Sequence, residues 1–194
     1  CRLNAEGDHF GNSVAVSMLT AVVGSPGRGS ATVYRKLFAL DGTTTWEEEA
    51  ALVPGIGHSS ADGFGVAVAV ASTATGVVAL VGANRDLSQA GSAYVFTRSS
   101  GVWSQTAHLF AQEAPIDRGF GAAVGMSDGV AVIGASSATG GSAHVFTEVD
   151  GSWTQVAALK ANDTIPGDGF GTSVSVSSTT IVVGAPNGTR GVGS

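Results

Sequence analysis

Charge is scarce in this chain of 194 residues: only 12% are Asp, Glu, Lys or Arg, and the balance is acidic, at −6. The chain lacks a basic patch able to displace counterions from a phosphate backbone, which excludes nucleic acid as the expected partner and disfavours an anionic membrane surface. There is one cysteine, so no disulfide can form within the chain. No apolar run approaches the roughly 18 residues of a bilayer-spanning helix, and no charged segment leading into an apolar stretch marks a signal peptide. Helical periodicity is also hard to find. Glycine is abundant instead, with 29 residues set among Val, Ala, Ser and Thr, a composition suited to close-packed β-structure with many turns.

The glycines are organised. Phe-Gly pairs stand at Phe10-Gly11, Phe64-Gly65, Phe120-Gly121 and Phe170-Gly171, a recurrence near fifty residues that marks a repeat architecture. Each pair opens a small-sided apolar run such as Val66-Ala67-Val68-Ala69-Val70-Ala71, which gives way to a second run ending in glycine, as in Ile181-Val182-Val183-Gly184. A third run starts Gly29-Ser30-Ala31, Gly91-Ser92-Ala93 or Gly141-Ser142-Ala143, and a fourth carries Trp46, Trp103 or Trp153. Period-two alternation makes these runs strands, four to a unit. The repeats fall near residues 6–61, 62–116, 117–167 and 168–194, the last truncated. Recurring quartets without intervening helices fit the blades of a β-propeller better than a sandwich. The expected fold is therefore all-β: one partial β-propeller over residues 1–194, with about three and a half antiparallel four-stranded blades. The small-sided first strands belong near the axis, and the polar Trp strands outside.

These residues resemble the FG-GAP repeat, the blade unit of the integrin α-subunit propeller and of many secreted bacterial and algal proteins. The Val-Val-Gly-Ala-Pro element is complete at Val182-Val183-Gly184-Ala185-Pro186 and degenerate at Val22-Val23-Gly24-Ser25-Pro26. The resemblance implies a seven-bladed ring, which three and a half blades cannot close. The chain opens on a fourth-strand tail without an initiator Met, and is expected to be cut from a longer run of repeats. A second copy or another protein capping the arc are the alternatives. The Phe of each pair is expected to fill the wedge between blades, while its Gly lets the backbone approach a neighbour.

Calcium-carrying members of the family hold an Asp-x-Asp-x-Asp-Gly loop between the first two strands, whose clustered oxygens suit a hard cation. Here those turns offer one carboxylate, Asp128, so neither calcium nor another cofactor is expected. Asp8, Asp62, Asp117 and Asp168 precede the Phe-Gly pairs, where a propeller would place them on one rim. They are either a cation-binding ring or turn residues ahead of a strand, and turn chemistry accounts for them without a ligand. The four histidines, His9, His58, His108 and His144, lack metal-ligand spacing. No Gly-x-Ser-x-Gly elbow and no phosphate loop occurs, so an enzyme is not expected.

Asn162 and Asn187 begin N-glycosylation acceptor patterns, in keeping with the extracellular or cell-surface setting that the resemblance implies. The loops that differ most between repeats, 25–28, 84–90, 136–140 and 187–192, would form a recognition face for a protein or glycan. The alternatives to this adhesion reading are a structural subunit of an extracellular filament, coat or algal flagellar hair, or an accessory domain of a larger secreted enzyme.

Overall fold

The computed structural model describes residues 6–55, 59–73, 76–112, 118–137 and 139–188. Three sheets have four antiparallel strands each and a fourth has two. The first blade comprises β1 (Ser13–Ser17), β2 (Thr20–Ser25), β3 (Ser30–Phe38) and β4 (Thr44–Leu52). The second comprises β5 (Phe64–Thr73), β6 (Gly76–Ala83), β7 (Ser92–Ser99) and β8 (Val102–Leu109). The third comprises β9 (Phe120–Ser127), β10 (Val130–Ala135), β11 (Ser142–Val149) and β12 (Ser152–Leu159), and β13 (Ser173–Ser177) with β14 (Thr180–Gly184) forms the fourth. Each sheet runs in sequence order, because short connections fold each strand back antiparallel onto the one before it. This is a β-propeller.

Blades stack through their inner strands. β5 lies against β1 and β2, β9 against β5 and β6, and β13 against β9 and β10. Alternation then gives every blade two faces. The Val68 and Val70 side of β5 looks back into a core shared with Val22, Ala31, Val33 and Leu52 of the first blade. Its Ala69 side looks forward into a core with Phe120, Ala131 and Ile133 of the third. Both faces are covered, which is why β5 has a polar residue on neither over 64–71.

Phe-Gly forms a bulge rather than plain strand. Phe64 pairs with Ala83 and Ala67 with Gly82, so Gly65 and Val66 loop out of the ladder; the same shift separates Phe120 from Ala123. The bulge carries Gly65, Gly121 and Gly171, with φ of +92°, +89° and +88°, onto the glycine of the preceding blade's second strand. A Cβ on Gly24, Gly82 or Gly134 would come well under 3.0 Å from the carbonyl oxygen of Gly65, Gly121 or Gly171 respectively. The two recurring glycines of the repeat are thus the two sides of one backbone contact. Neither tolerates a side chain.

A second bulge recurs in the outer hairpins, between Val33 and Tyr34, Val95 and Phe96, and Val145 and Phe146. The additional residue on the outer strand is Glu49 in the first blade, and the bulge re-aims it at the next blade. Glu49 accepts hydrogen bonds from Arg98 Nε at 2.9 Å and Nη2 at 2.5 Å, and from Trp103 Nε1 at 2.9 Å. The sequence reading placed the polar residues beside Trp46 in water; Glu49 is instead an inter-blade anchor. The Arg98 hydrogen bonds, aided by Trp103, hold its carboxyl below the usual carboxylate range against a smaller opposing push from burial. Both side chains are largely covered, at 15% and 21% exposure, so solvent screening is partial.

A depressed folded-state pKa means that this stabilisation is complete above the unfolded carboxyl's range, near 4.3, and is lost as pH falls through it towards the folded value. Glu49→Gln should therefore lower unfolding free energy at pH 7 by about 1–3 kcal/mol. The deficit relative to wild type should shrink on acidification below about pH 4. Urea unfolding followed by tryptophan fluorescence at several pH values checks both.

Candidate functional site

Strand order sets the rims. Loops from second to third strand and from fourth strand to the next blade emerge at one end, where their backbones interlock. Arg85 N–H donates to Asp62 C=O at 3.0 Å, Phe120 N–H to Ala90 C=O at 3.0 Å, Phe170 N–H to Gly140 C=O at 2.8 Å and Asn187 N–H to Asp168 C=O at 3.0 Å. Loop against loop, this rim is a braced surface built on a rigid stack.

Its most elaborate part is 84–90. Leu87, Ser88 and Gln89 all have positive φ, at 48°, 58° and 75°, a left-handed turn that costs energy without glycine. The turn is held from below. Asp86, buried, accepts a bond from its neighbour Leu87 N–H at 2.7 Å and another from the Tyr94 hydroxyl. His108 stacks on Tyr94 with ring centres 4.4 Å apart, and its Nε2 lies 2.8 Å from Ser92 Oγ and 3.6 Å from Asp86 Oδ2. Burial, then the Asp86 hydrogen bond, push the Tyr94 phenol far above its ordinary range, so it remains a hydrogen-bond donor at any physiological pH. Above this network Leu87, Ser88 and Gln89 are exposed.

Ser92, His108 and Asp86 have the composition of a nucleophilic triad without its geometry. A relay places the carboxylate on the ring nitrogen opposite the one facing the hydroxyl. Here Nε2 faces both, and Ser92 is fully buried. The cluster braces a loop. Sequence reading missed it because its four members lie on a loop and two strands, and only the sheet brings them together.

The acidic residues of the rim separate into different roles. Asp62 Oδ2 accepts from Ser59 N–H at 2.7 Å within the short 3-10 turn Ser60–Asp62, and Asp168 Oδ2 accepts from Ile165 N–H at 2.8 Å. Both carboxylates thus serve their own loops. Asp8 lines a cleft of ≈ 240 Å³ with Phe10, Arg28, Tyr34 and Glu48, and Asp117 lies outside the described residues, as does His58. Among the described residues, no three His, Cys, Asp or Glu side chains are grouped to hold a metal.

The Phe-Gly aromatics are not equivalent. Phe64 and Phe120 are 0% and 1% exposed, edge-on to Phe96 and Phe146 of their own blades and inserted against the preceding one. Phe170 is half-buried against the third blade, while Phe10 is 39% exposed beside Tyr34. Likewise Trp103 and Trp153 pack into the blade interfaces and Trp46 is exposed. Asn162 is exposed in a turn; Asn187 is exposed too, but its side-chain amide donates to Gly167 C=O at 3.0 Å.

Repeated four-stranded blades, locked by paired glycines and wedge phenylalanines, define a repeat-built propeller. The FG-GAP repeat family model matches residues 4–38, 46–96, 103–146 and 153–194, and the chain belongs to that family. No curated protein matches the sequence. Among solved structures, a protein from Lactobacillus plantarum is similar at 20% identity and TM-score 0.48, covering 80% of this chain and 42% of its own. The GH43 endo-arabinanase from Bacillus licheniformis is similar at 12% identity and TM-score 0.47, covering 93% of this chain and 67% of its own. The chain thus spans less than half the length of the first of these.

Proposed function

We propose that this chain is a non-catalytic binding module of an extracellular or cell surface, which recognises a protein or glycan through the rim that carries loop 84–90. The observation behind this reading is the contrast within one molecule: the blade scaffold repeats, whereas the loops on this rim differ from blade to blade. Loop 84–90 holds three exposed residues in a left-handed turn over a buried hydrogen-bond network. A strained conformation, braced from beneath and offered to solvent, is what preorganised recognition requires. An exposed acceptor pattern at Asn162 agrees with a secreted setting. The misplaced carboxylate and buried hydroxyl of the Asp86 cluster support a binding role over a hydrolytic one.

The test is binding of the purified chain to arrayed glycans and to a panel of immobilised extracellular-matrix proteins, alongside a Leu87→Ala/Gln89→Ala double variant. The expected result is a saturable ligand for wild type, with affinity at least about tenfold weaker in the variant and an unchanged melting temperature. Binding indifferent to the rim substitutions, or none across both panels, would overturn it.

A further inference from the structure

The hairpin joining β3 to β4 ends in an apolar tip that the other blades lack. Leu37, Phe38, Ala39 and Leu40 follow one another and all are exposed, Phe38 at 64% and Leu40 fully. The corresponding turns of the second and third blades are the tight Ser100-Gly101 and Asp150-Gly151. Those turns are exposed although each of these blades is stacked between two others, so exposure at this place belongs to the hairpin and not to where the chain begins. The tip is ordered. Ala39 N–H donates to Thr43 C=O at 2.9 Å and Gly42 N–H to Ala39 C=O at 3.1 Å, while the Thr43 hydroxyl and N–H donate to Asp41 Oδ1 at 2.7 and 2.9 Å. The two Thr43 bonds hold the Asp41 carboxyl below its ordinary range, so a charge stands beside Leu40 and opposes burial of the tip in lipid.

The same end of the molecule has a cleft. Between the first and second blades, Met18 and Leu19 of the β1–β2 turn and Val77 of β6 wall a space of ≈ 200 Å³ together with Arg35 and Arg98. It is smaller than the roughly 300–1,000 Å³ of a small-molecule pocket and suits one or two side chains. Counted from the outer-hairpin bulge, Arg35 and Arg98 become Thr97 and Glu148 one blade further on, so stacking does not require the two cations. Arg98 is bonded to Glu49. Arg35, 47% exposed, stands 3.8 Å from the same carboxylate, whose oxygens Arg98 and Trp103 already occupy.

We infer that tip and cleft bind each other between two copies of this chain: Phe38 and Leu40 of one copy enter the cleft over Met18, Leu19 and Val77 of the other, and Asp41 meets Arg35. Apolar surface then covers apolar surface, and the charge beside each is answered by its opposite. The hydrogen bonds that order the tip in the single chain lower the entropy cost of the contact. Since one hairpin carries both the tip and Arg35 of the cleft wall, a two-fold axis forms the contact twice and closes a dimer. The β1–β2 and β3–β4 connections leave the sheet at the end opposite loop 84–90, so the recognition rim stays open in the dimer and the inference stands apart from the binding reading.

Sedimentation equilibrium over a wide concentration range tests this. Wild type should pass from one copy to two and stop there. Leu40→Asp at the tip and Met18→Asp at the mouth of the cleft should each weaken the dimer at least about tenfold. Circular dichroism should not change, because both side chains are exposed in the single chain and Met18 sits at φ 51°, a conformation that Asp accepts. Val149→Asp, on the exposed outer hairpin of the third blade, is the control and should dimerise like wild type. Two results would overturn the proposal. One is a dimer indifferent to Leu40→Asp or to Met18→Asp. The other is a wild type monomeric at every concentration, and flotation of that monomer with phosphatidylcholine vesicles, lost in Leu40→Asp, would give the tip to lipid instead.

Discussion

Phe120→Ala should destabilise this protein by about 3–5 kcal/mol, while Phe10→Ala, the same change one hundred and ten residues earlier in the same repeat position, should cost about 1 kcal/mol. Phe120 is 1% exposed and touches both the second and third blades, so truncation leaves a cavity in a shared core that two rigid sheets cannot collapse to fill. Phe10 is 39% exposed and leans edge-on against the Tyr34 ring; water already reaches the space that its removal would open. Urea unfolding of the two variants, followed by the fluorescence of Trp103 and Trp153 at the interfaces, measures the difference. Equal losses would mean that the wedge position carries no inter-blade energy. A loss of 3–5 kcal/mol is a large share of a domain's stability of about 5–15 kcal/mol, so Phe120→Ala is also expected to be poorly soluble.

Gly82→Ala should be at least as damaging, through a single methyl group. The new Cβ would lie well under 3.0 Å from the carbonyl oxygen of Gly121, a backbone atom that cannot rotate away. The second and third blades would have to separate, exposing the core that contains Leu80, Phe120 and Ile133. The expected outcome is a loss above about 3 kcal/mol or failure to fold. Gly11→Ala is the matched control: its φ of +88° makes any side chain strained, but nothing stands within 4 Å. Only the backbone term of about 1–2 kcal/mol applies there. Thermal melts of both proteins decide it, and a Gly82→Ala variant that melts with wild type would refute the close approach.

Much of the architecture was legible in the order of residues. The Phe-Gly recurrence announced the repeat, and the all-small character of residues 66–71 announced a strand covered on both faces. The Gly-Ser-Ala and Trp runs supplied the remaining two strands of each blade. Boundaries were less legible. The Phe-Gly pair reads as the start of the first strand, yet it is a bulge, since the ladder resumes only at Ala67 and Ala123. Nothing local distinguishes a strand residue from one looped out to meet another chain segment.

The site was less legible still. Loop 84–90 stood out in sequence because it departs from the other repeats. Its left-handed conformation and its bracing by Asp86, Tyr94, Ser92 and His108 did not, for those residues converge only when β7 and β8 pair beneath the loop. Equivalent letters also proved unequal in place: Phe64 and Phe10, Val22 and Val182, and Trp103 and Trp46 occupy matching repeat positions with opposite exposure.

By itself, then, the sequence determined what each repeat is: four strands whose alternation gives two apolar faces, with glycine wherever another backbone must come close. That information is local, written in side-chain size and in the backbone freedom of glycine. Only the tertiary structure decided which glycine meets which, that Glu49 crosses to Arg98 and Trp103, and which faces are covered. Those outcomes depend on stacking one blade upon the next, and burial belongs to a pair of surfaces rather than to either alone.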